Sequence, residues 1–470
     1  MALLALAAGF AVVIGGILVL RLHAFLALFA GAIVVAAVTP ADALAASVGS
    51  ENSAAAASLA ASSAMDRVVD GFAVTAGKIG ILIAMAAIVG VCLLESGAAE
   101  RIVFTTQSAL GDRWTAAALV VASFILAVPV FFDTVFFLML PIAQSLAVRR
   151  GGDYLKFVLA IVVGGSLAHS LIPPTPGPLA VASELDVSLP AMMLGGLAVG
   201  VPGVLAGYGF LVVMNRRRPV AAPAAVIGEA GRSESAGQTA AVSSPSIGWS
   251  LVPIVLPVVC LAAGTIWPGP VGHPNLADRI VAWIGDRNVA LSLAAAASLG
   301  LLATRPGVSR GATQRAVGRA LADGGTVILI TCAGGALGQV IRQTNIAATI
   351  AASAPAAATG SGLLMTAFGL TAVVRVAQGS ATVAMLTTVG IVAPLATATP
   401  LPYHPVYLAL AIGCGSKPLP WMNDSGFWTI SRMAGLTESQ TLQTFTPLLT
   451  IMGVVAMAMT WLGSLVLPLV

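Results

Sequence analysis

Long apolar stretches alternate with short polar ones along almost the whole chain. The stretches 2–20 and 446–470 are apolar on every face, whereas a membrane β-barrel would show segments of alternating polarity. A helix needs about 20 apolar residues to cross a bilayer, so the pattern predicts an all-α polytopic membrane protein with about 10–14 transmembrane segments. The candidate segments are residues 2–20, 23–38, 73–94, 114–130, 134–148, 155–171, 190–213, 249–267, 280–303, 321–341, 361–377, 380–395, 405–415 and 444–469.

Two polar breaks interrupt apolar stretches about 250 residues apart. One covers Gly164–Pro178 and is rich in proline, and the other covers Gly413–Trp428 and contains Lys417. An unpaired backbone amide in lipid costs several kcal/mol, so non-helical chain is tolerated at membrane depth only where it lines a cavity. Matching breaks in two halves of a membrane protein therefore point to broken helices around a transporter's binding site.

The breaks belong to a longer internal repeat, and the ordered agreement of its offsets argues against a chance alignment of two apolar sequences. Basic loops place the start of the first copy outside and the start of the second inside, so the copies are predicted to be inverted. Matched positions are Gly97 with Asn345, Thr134 with Thr382, Ser166 with Ser416 and Gly177 with Gly426. The predicted organisation is 1–72, N-terminal helices and an external loop; 73–213, repeat 1; 214–248, a flexible cytoplasmic linker; 249–320, two connecting transmembrane helices and a basic loop; and 321–470, repeat 2.

Each repeat contains a pair of apolar segments close to the lower length limit for a membrane span. The pairs are 114–130 with 134–148 and 361–377 with 380–395. Each pair forms either two crossings or one re-entrant hairpin, and charge counting does not separate the two. The polar tips between the paired segments favour hairpins.

Composition agrees with a membrane protein and excludes several classes of function. The chain is 58% hydrophobic and 9% charged, against about 25% charged residues in a soluble domain. Its basic pI of 9.1 is typical of positive cytoplasmic loops, so no nucleic-acid partner is expected. The sequence has no phosphate-binding loop, no metal-ligand cluster and no nucleophile–base pair, so we expect neither an enzyme nor a cofactor. The four cysteines have no metal or disulfide spacing and are expected to be small core residues.

Two ionisable residues of the first repeat are candidates for carrying a proton. Asp133 lies between two apolar runs, where an ionisable group is costly and is a functional candidate by default. His169 lies in the first break, and imidazole titrates near neutral pH. The alternatives are a carboxylate in an external loop and a neutral histidine bonded to a carbonyl group.

The second repeat supplies cations and hydroxyl groups. Arg375 and Lys417 can each neutralise a carboxylate, although Lys417 can instead extend to the membrane interface. Together with hydroxyl and amide side chains they suggest a polyhydroxylated anion as ligand. The candidate substrate-binding residues are Ser166, His169, Thr175, Gly177, Arg375, Gln378, Ser380, Thr382, Ser416, Lys417, Asn423 and Asp424.

Several of these motifs resemble the gluconate permease family of proton symporters. The resemblance covers residue 73 to the C-terminus, and it implies proton-driven uptake of gluconate or a related small carboxylate across the inner membrane. It also implies inverted repeats, re-entrant hairpins and often a dimer in which one domain moves through the lipid bilayer. The motifs are Pro129-Val-Phe-Phe-Asp133, His169-Ser-Leu-Ile-Pro-Pro-Thr-Pro-Gly177-Pro, Arg375-Val-Ala-Gln-Gly-Ser-Ala-Thr-Val-Ala384, Asn423-Asp-Ser-Gly-Phe-Trp428 and Gly435-Leu-Thr-Glu-Ser-Gln-Thr-Leu442.

The chain departs from the family pattern within the expected pocket. Pro420-Trp421-Met422 stands where a Ser-His is common, Lys417 is added, and Thr175 stands where a second histidine is expected. These departures leave the substrate open between a sugar acid and a short hydroxy- or amino acid such as glycerate or D-serine. A passive organic-anion channel built on the same repeats is a further alternative.

Overall fold

The computed structural model describes most of the chain, and all its regular structure is helical. Within the described residues there is no strand, so the all-α prediction is confirmed. Most of the predicted linker 214–248 lies outside the described residues. The described residues are 2–48, 53–150, 153–217, 220, 245–267, 275–345, 360–398, 400–422 and 424–469.

Twenty α-helices and one short 3₁₀ turn, Asp112–Trp114, lie in this part of the chain. In chain order, α1 to α20 are Ala2–Leu18, Ala24–Val38, Ala41–Val48, Ser53–Ala61, Ala64–Glu95, Ala98–Leu110, Thr115–Leu126, Phe132–Arg150, Tyr154–Leu171, Pro176–Glu184, Leu189–Arg217, Ile247–Ile266, Leu276–Ile284, Arg287–Ala303, Arg310–Gln343, Gly360–Gln378, Ala381–Ala398, Pro405–Gly415, Ser425–Met433 and Glu438–Val466.

The helices differ in their ability to cross a membrane. By length and composition, six candidate spans occur in the described residues, or up to eight if each of two bent helix pairs counts as one span. Shorter apolar helices of 10–17 residues form the other apolar segments. Among them α7 has 12 residues and covers about 18 Å, less than the ~30 Å of a hydrocarbon core. That length fits a re-entrant segment better than a crossing.

Helices of the two predicted repeats follow one another in the same order and at the same spacing. The starts of α8 and α17, of α10 and α19, and of α11 and α20 are each 249 residues apart. Both α10 and α19 have nine residues, and both α11 and α20 have 29. This spacing supports the predicted duplication, but it pairs Thr382 with Asp133 and not with Thr134, as the sequence had suggested.

The corresponding helices α5 and α15 lie side by side in opposite directions. A Cβ atom built on Gly71 of α5 lies 3.0 Å from Ala336 Cα, and one built on Gly324 of α15 lies 3.2 Å from Ala87 Cβ. Residue numbers therefore rise along α5 as they fall along α15. The antiparallel pair supports inversion of the two copies.

Close packing of α15 depends on its glycines, as expected for a transmembrane helix interface. A Cβ on Gly335 would lie 2.0 Å from Thr75 Oγ1 of α5. On another side of α15, Gly334 and Gly338 face the backbone of α17 at Leu386 and Gly390. The four cysteines are free and buried, so their predicted place in the core is confirmed.

Both polar breaks are interruptions between two helices. The first lies between α9 and α10, and the second lies between α18 and α19. The tip between α16 and α17 consists of Gly379 and Ser380, and Gly379 has a φ of 81°, which favours glycine. The broken helices predicted from the sequence are confirmed, and their breaks set the position of the site.

We expect Gly335→Ala to destabilise the protein, because the added methyl group collides with the Thr75 side chain across the α5–α15 interface. Overpacking of this kind costs about 1–3 kcal/mol. The matched control is Gly325→Ala on the same helix, where a Cβ meets nothing within 4 Å. Thermal unfolding in detergent should show a lower Tm for the first variant only, and equal Tm values would contradict the packing argument.

Candidate functional site

A cavity of about 150 Å³ lies where the two breaks meet the tips of the helix pairs α7–α8 and α16–α17. Both repeats contribute to its wall. The apolar part of the wall includes side chains of α20 and the ring of Phe132. The lining residues are Phe131, Phe132, Asp133, Ser166, His169, Arg375, Gly379, Ser380, Ala381, Thr382, Lys417, Asp424, Gly426, Phe445 and Leu449.

Three helices present their N-terminal turns to this cavity. They are α8, α17 and α19, which line it with Asp133, Thr382 and Gly426 respectively. The N-terminus of a helix carries a partial positive charge and unpaired N–H groups, so this arrangement favours an anion. Two of the ends also have side-chain caps, because Asp424 accepts from Phe427 N at 3.1 Å and Ser380 accepts from Val383 N at 3.3 Å.

Each repeat places a glycine against the helix tip of the other repeat. A Cβ on Gly177 would lie 3.8 Å from Thr382 Cα and only 2.1 Å from Met385 Cε, so α10 approaches α17 closely. A Cβ on Gly426 would lie 3.9 Å from Asp133 Oδ1. Gly177 and Gly426 are 249 residues apart, as are Asp133 and Thr382. The inverted copies therefore exchange equivalent contacts around the cavity.

Arg375 is buried, and each of its three guanidinium nitrogens has a partner. Its Nε donates to Ser416 O at 3.0 Å, and Nη1 donates to Gly379 O. Nη2 forms an ion pair with Asp424, whose side chain is 4% exposed. Arg375 thus ties the end of α16 to the second break and neutralises the carboxylate that caps α19.

Lys417 is the buried cation of the cavity with the fewest partners. Its side chain lies in the second break, and Nζ donates to the carbonyl oxygen of Ser166 in α9. Within the described residues no carboxylate forms an ion pair with it. Lys417 points into the protein and not to the membrane interface, and it lines the cavity.

Polar atoms of the first repeat face the same cavity. Asp133 lies in the first turn of α8, and the described residues give it no ion-pair partner. His169 lies in the last turn of α9, and within the described residues its Nδ1 and the Oγ of Ser166 are buried without a hydrogen-bond partner. More than 90% of buried polar groups in proteins are paired, roughly, so these atoms are suited to a ligand or to water.

The other predicted residues have different positions. Thr175 occupies the N-cap position of α10, and its hydroxyl donates to Ile172 O at 2.6 Å. The hydroxyl of Ser416 donates to Gly413 O at 2.7 Å. Neither residue lines the cavity, and Gly177 contacts α17 beside it. Asn423 and the side chain of Gln378 lie outside the described part of the chain.

Sequence reasoning missed the apolar part of the wall. Phe131 and Phe132 stand directly before Asp133, so their position in the tip could have predicted that they line the cavity. Phe445 and Leu449 come from α20, far from either break in the sequence, and only the packing of α20 brings them to the site. Within the described residues, no group of three or more His, Cys, Asp or Glu side chains is placed to hold a metal ion.

A family model, two curated relatives and one solved structure each match most of this chain. The model of the GntP family permeases matches residues 1–466. The inner membrane permease YgbN of Escherichia coli (strain K12) is 32% identical over 397 residues, covering 82% of this chain and 85% of the relative. The low-affinity gluconate transporter of the same strain is 31% identical over 387 residues, covering 81% and 84%. MtrF of Neisseria gonorrhoeae, whose structure is described as illuminating a class of antimetabolite efflux pumps, has the same fold with a TM-score of 0.63, at 18% identity and with 86% and 85% covered.

The buried pair of Arg375 and Asp424 should contribute far more to stability than an exposed pair of the same chemistry. Loss of one partner leaves a buried charge alone, which costs about 3–5 kcal/mol, so Arg375→Gln should lower the Tm strongly. The matched control is Arg319→Gln, since Arg319 pairs with Glu95 but its side chain is 66% exposed. An exposed pair contributes about 0–1 kcal/mol. Similar losses of Tm in the two variants would contradict this role of Arg375.

Proposed function

Because this chain belongs to the GntP family of permeases, we propose that it imports gluconate or a related sugar acid by proton symport. The chain is a multi-pass inner-membrane transporter of small acids and not an enzyme. The observation that carries the substrate proposal is the buried ammonium of Lys417, which faces a cavity bordered by three helix N-termini and lacks a carboxylate partner in the described residues.

The substrate carboxylate binds Lys417, because Arg375 already uses its guanidinium on Asp424 and two carbonyl groups. A hydrogen bond to a charged group contributes about 1.5–3 kcal/mol, enough to orient a small acid. The hydroxyl groups of Ser380 and Thr382 lie on the cavity wall and pair with substrate hydroxyls. Arg375 acts as a positioning residue that keeps this wall in place.

Proton coupling follows from Asp133 and His169 in the same cavity. An ionised Asp133 repels a substrate carboxylate at short range, and the repulsion is strong away from water. A proton on Asp133 removes that repulsion, so the proton and the acid favour each other's binding by the same factor. His169 is a second proton carrier beside it. Movement of one helix group past the other then exposes the loaded site to the other side of the membrane.

A short hydroxy- or amino acid, such as glycerate or D-serine, is the second candidate substrate. The cavity volume of about 150 Å³ favours it, since a cavity of roughly that size holds a molecule as small as benzene. Within the described residues neither Asp133 nor Lys417 forms an ion pair, so the two side chains also complement the two charges of an amino acid. Competition between unlabelled acids for uptake separates the two candidates.

Purified protein in proteoliposomes should accumulate labelled gluconate when the outside is acidic and the inside is alkaline. Asp133→Asn should keep exchange of internal for external substrate but lose accumulation driven by the proton gradient. Uptake that follows a sodium gradient and ignores protons would contradict proton symport. Absence of stimulation by preloaded substrate would instead indicate a passive channel.

Lys417→Gln should weaken substrate binding by about 10- to 100-fold, as expected for the loss of a charged hydrogen bond. The KM for uptake should rise by a similar factor. The matched control is Lys156→Gln, because Lys156 lies at the start of α9 and pairs with Asp153 at 3.3 Å, away from the cavity. An unchanged KM in the Lys417 variant would show that the carboxylate binds elsewhere.

A further inference from the structure

Another carboxylate with little solvent exposure lies at the end of α10, away from the cavity. Glu184 is the last residue of this helix, and its side chain is 5% exposed. It belongs to the candidate span Tyr154–Glu184, where an ionisable group is costly and functional by default. A negative charge at a helix C-terminus is also unfavourable for the helix dipole, so α10 itself does not explain the residue.

Helix α10 connects the cavity to the antiparallel pair α5 and α15. Its first turn contacts the tip of α17 through Gly177, and its last residue reaches both long helices. Thr75 of α5 donates to Glu184 Oε1 at 3.5 Å, and Arg342 Nη1 of α15 lies 3.9 Å from Glu184 Oε2. Nine helical residues span about 13 Å, so a change at Glu184 acts on the same rigid element that borders the site.

The contacts of Glu184 are long, and its partner Arg342 has other hydrogen bonds. Arg342 also donates from Nε and Nη2 to Gln339 Oε1, at 3.2 and 2.9 Å. The other titratable group recorded near Glu184 is the thiol of Cys332, also on α15. From the remaining described helices packed on α10, no charged group is recorded against it. The pair can therefore open without leaving Arg342 unpartnered.

The first repeat alone carries this carboxylate. The position 249 residues later is Met433, the last residue of α19. A residue needed only to build the duplicated fold would be expected in both copies. Its presence in one copy, at the contact with α5 and α15, indicates a task that the two copies do not share.

We propose that Glu184 is a proton-operated latch between α10 and the α5–α15 pair, a role that rests on the proposed proton symport. The ionised carboxylate attracts Arg342 and holds α10 in place. A proton taken from water converts the carboxylate to the neutral acid and removes this attraction, and α10 then moves with the loaded site. The carboxylic acid returns its proton to water when the latch closes again.

The test compares Glu184→Gln, which resembles the protonated side chain, with Asp186→Asn as matched control. Asp186 lies two residues further on, is exposed and has a φ of 53°, a conformation that asparagine adopts well. Counterflow exchange of gluconate in proteoliposomes, measured for all variants at one pH, should run at the same rate in the natural protein and in Asp186→Asn. In Glu184→Gln it should be about fivefold or more faster, because the latch stays open.

Two further variants keep the latch testable if Glu184→Gln is not recovered from membranes. Arg342→Gln removes the other partner and should speed exchange by a similar factor. The exchanged pair Glu184→Arg with Arg342→Glu restores the attraction and should return exchange to the natural rate. A natural rate of exchange in an active Glu184→Gln or Arg342→Gln variant overturns the latch alone. Failure of the unmodified protein to exchange any acid overturns the proposed function instead.

Discussion

Helix N-termini inside a membrane protein impose the constraint on which the rest of this structure depends. In lipid their N–H groups would be unpaired, so each end needs a cap, a ligand or a cavity that admits water. Here α17 is capped by Ser380 and α19 by Asp424, and the charge of Asp424 is in turn neutralised by Arg375. Because Arg375 and Asp424 are paired with each other, Lys417 is the buried cation that the proposed substrate can bind.

Inversion of the two copies explains why the ends meet. Gly177 and Gly426 each lie against the tip of the opposite repeat, so the duplicated chain builds one cavity from two equivalent contacts. The charges are then divided unequally. The first copy carries Asp133 and His169, which can hold a proton, and the second carries the cations. In the proposed symport this division places the proton and the anion in one cavity, where each affects the binding of the other.

Much of this arrangement could be predicted from the sequence, because its signals are local. Proline and glycine marked the broken helices, and an isolated Asp133 between apolar runs marked one tip. The state of Arg375 could not be predicted, since its partners Ser416 and Asp424 reach it only through tertiary packing. Ser416 and Thr175 look like ligands in the sequence, but in the structure their hydroxyl groups donate hydrogen bonds to nearby backbone carbonyls. Glu184 ends a helix next to a turn, and the sequence does not show that α5 and α15 bury it.

In the proposed mechanism a substrate carboxylate binds Lys417 while Arg375 stays paired with Asp424. The most direct measurement is an experimental structure of the protein with gluconate or a shorter hydroxy acid bound. We predict the substrate carboxylate within about 3 Å of Lys417 Nζ, with the Arg375–Asp424 ion pair intact. A carboxylate bound to Arg375 with that ion pair broken, or an acid bound outside the cavity, would contradict it.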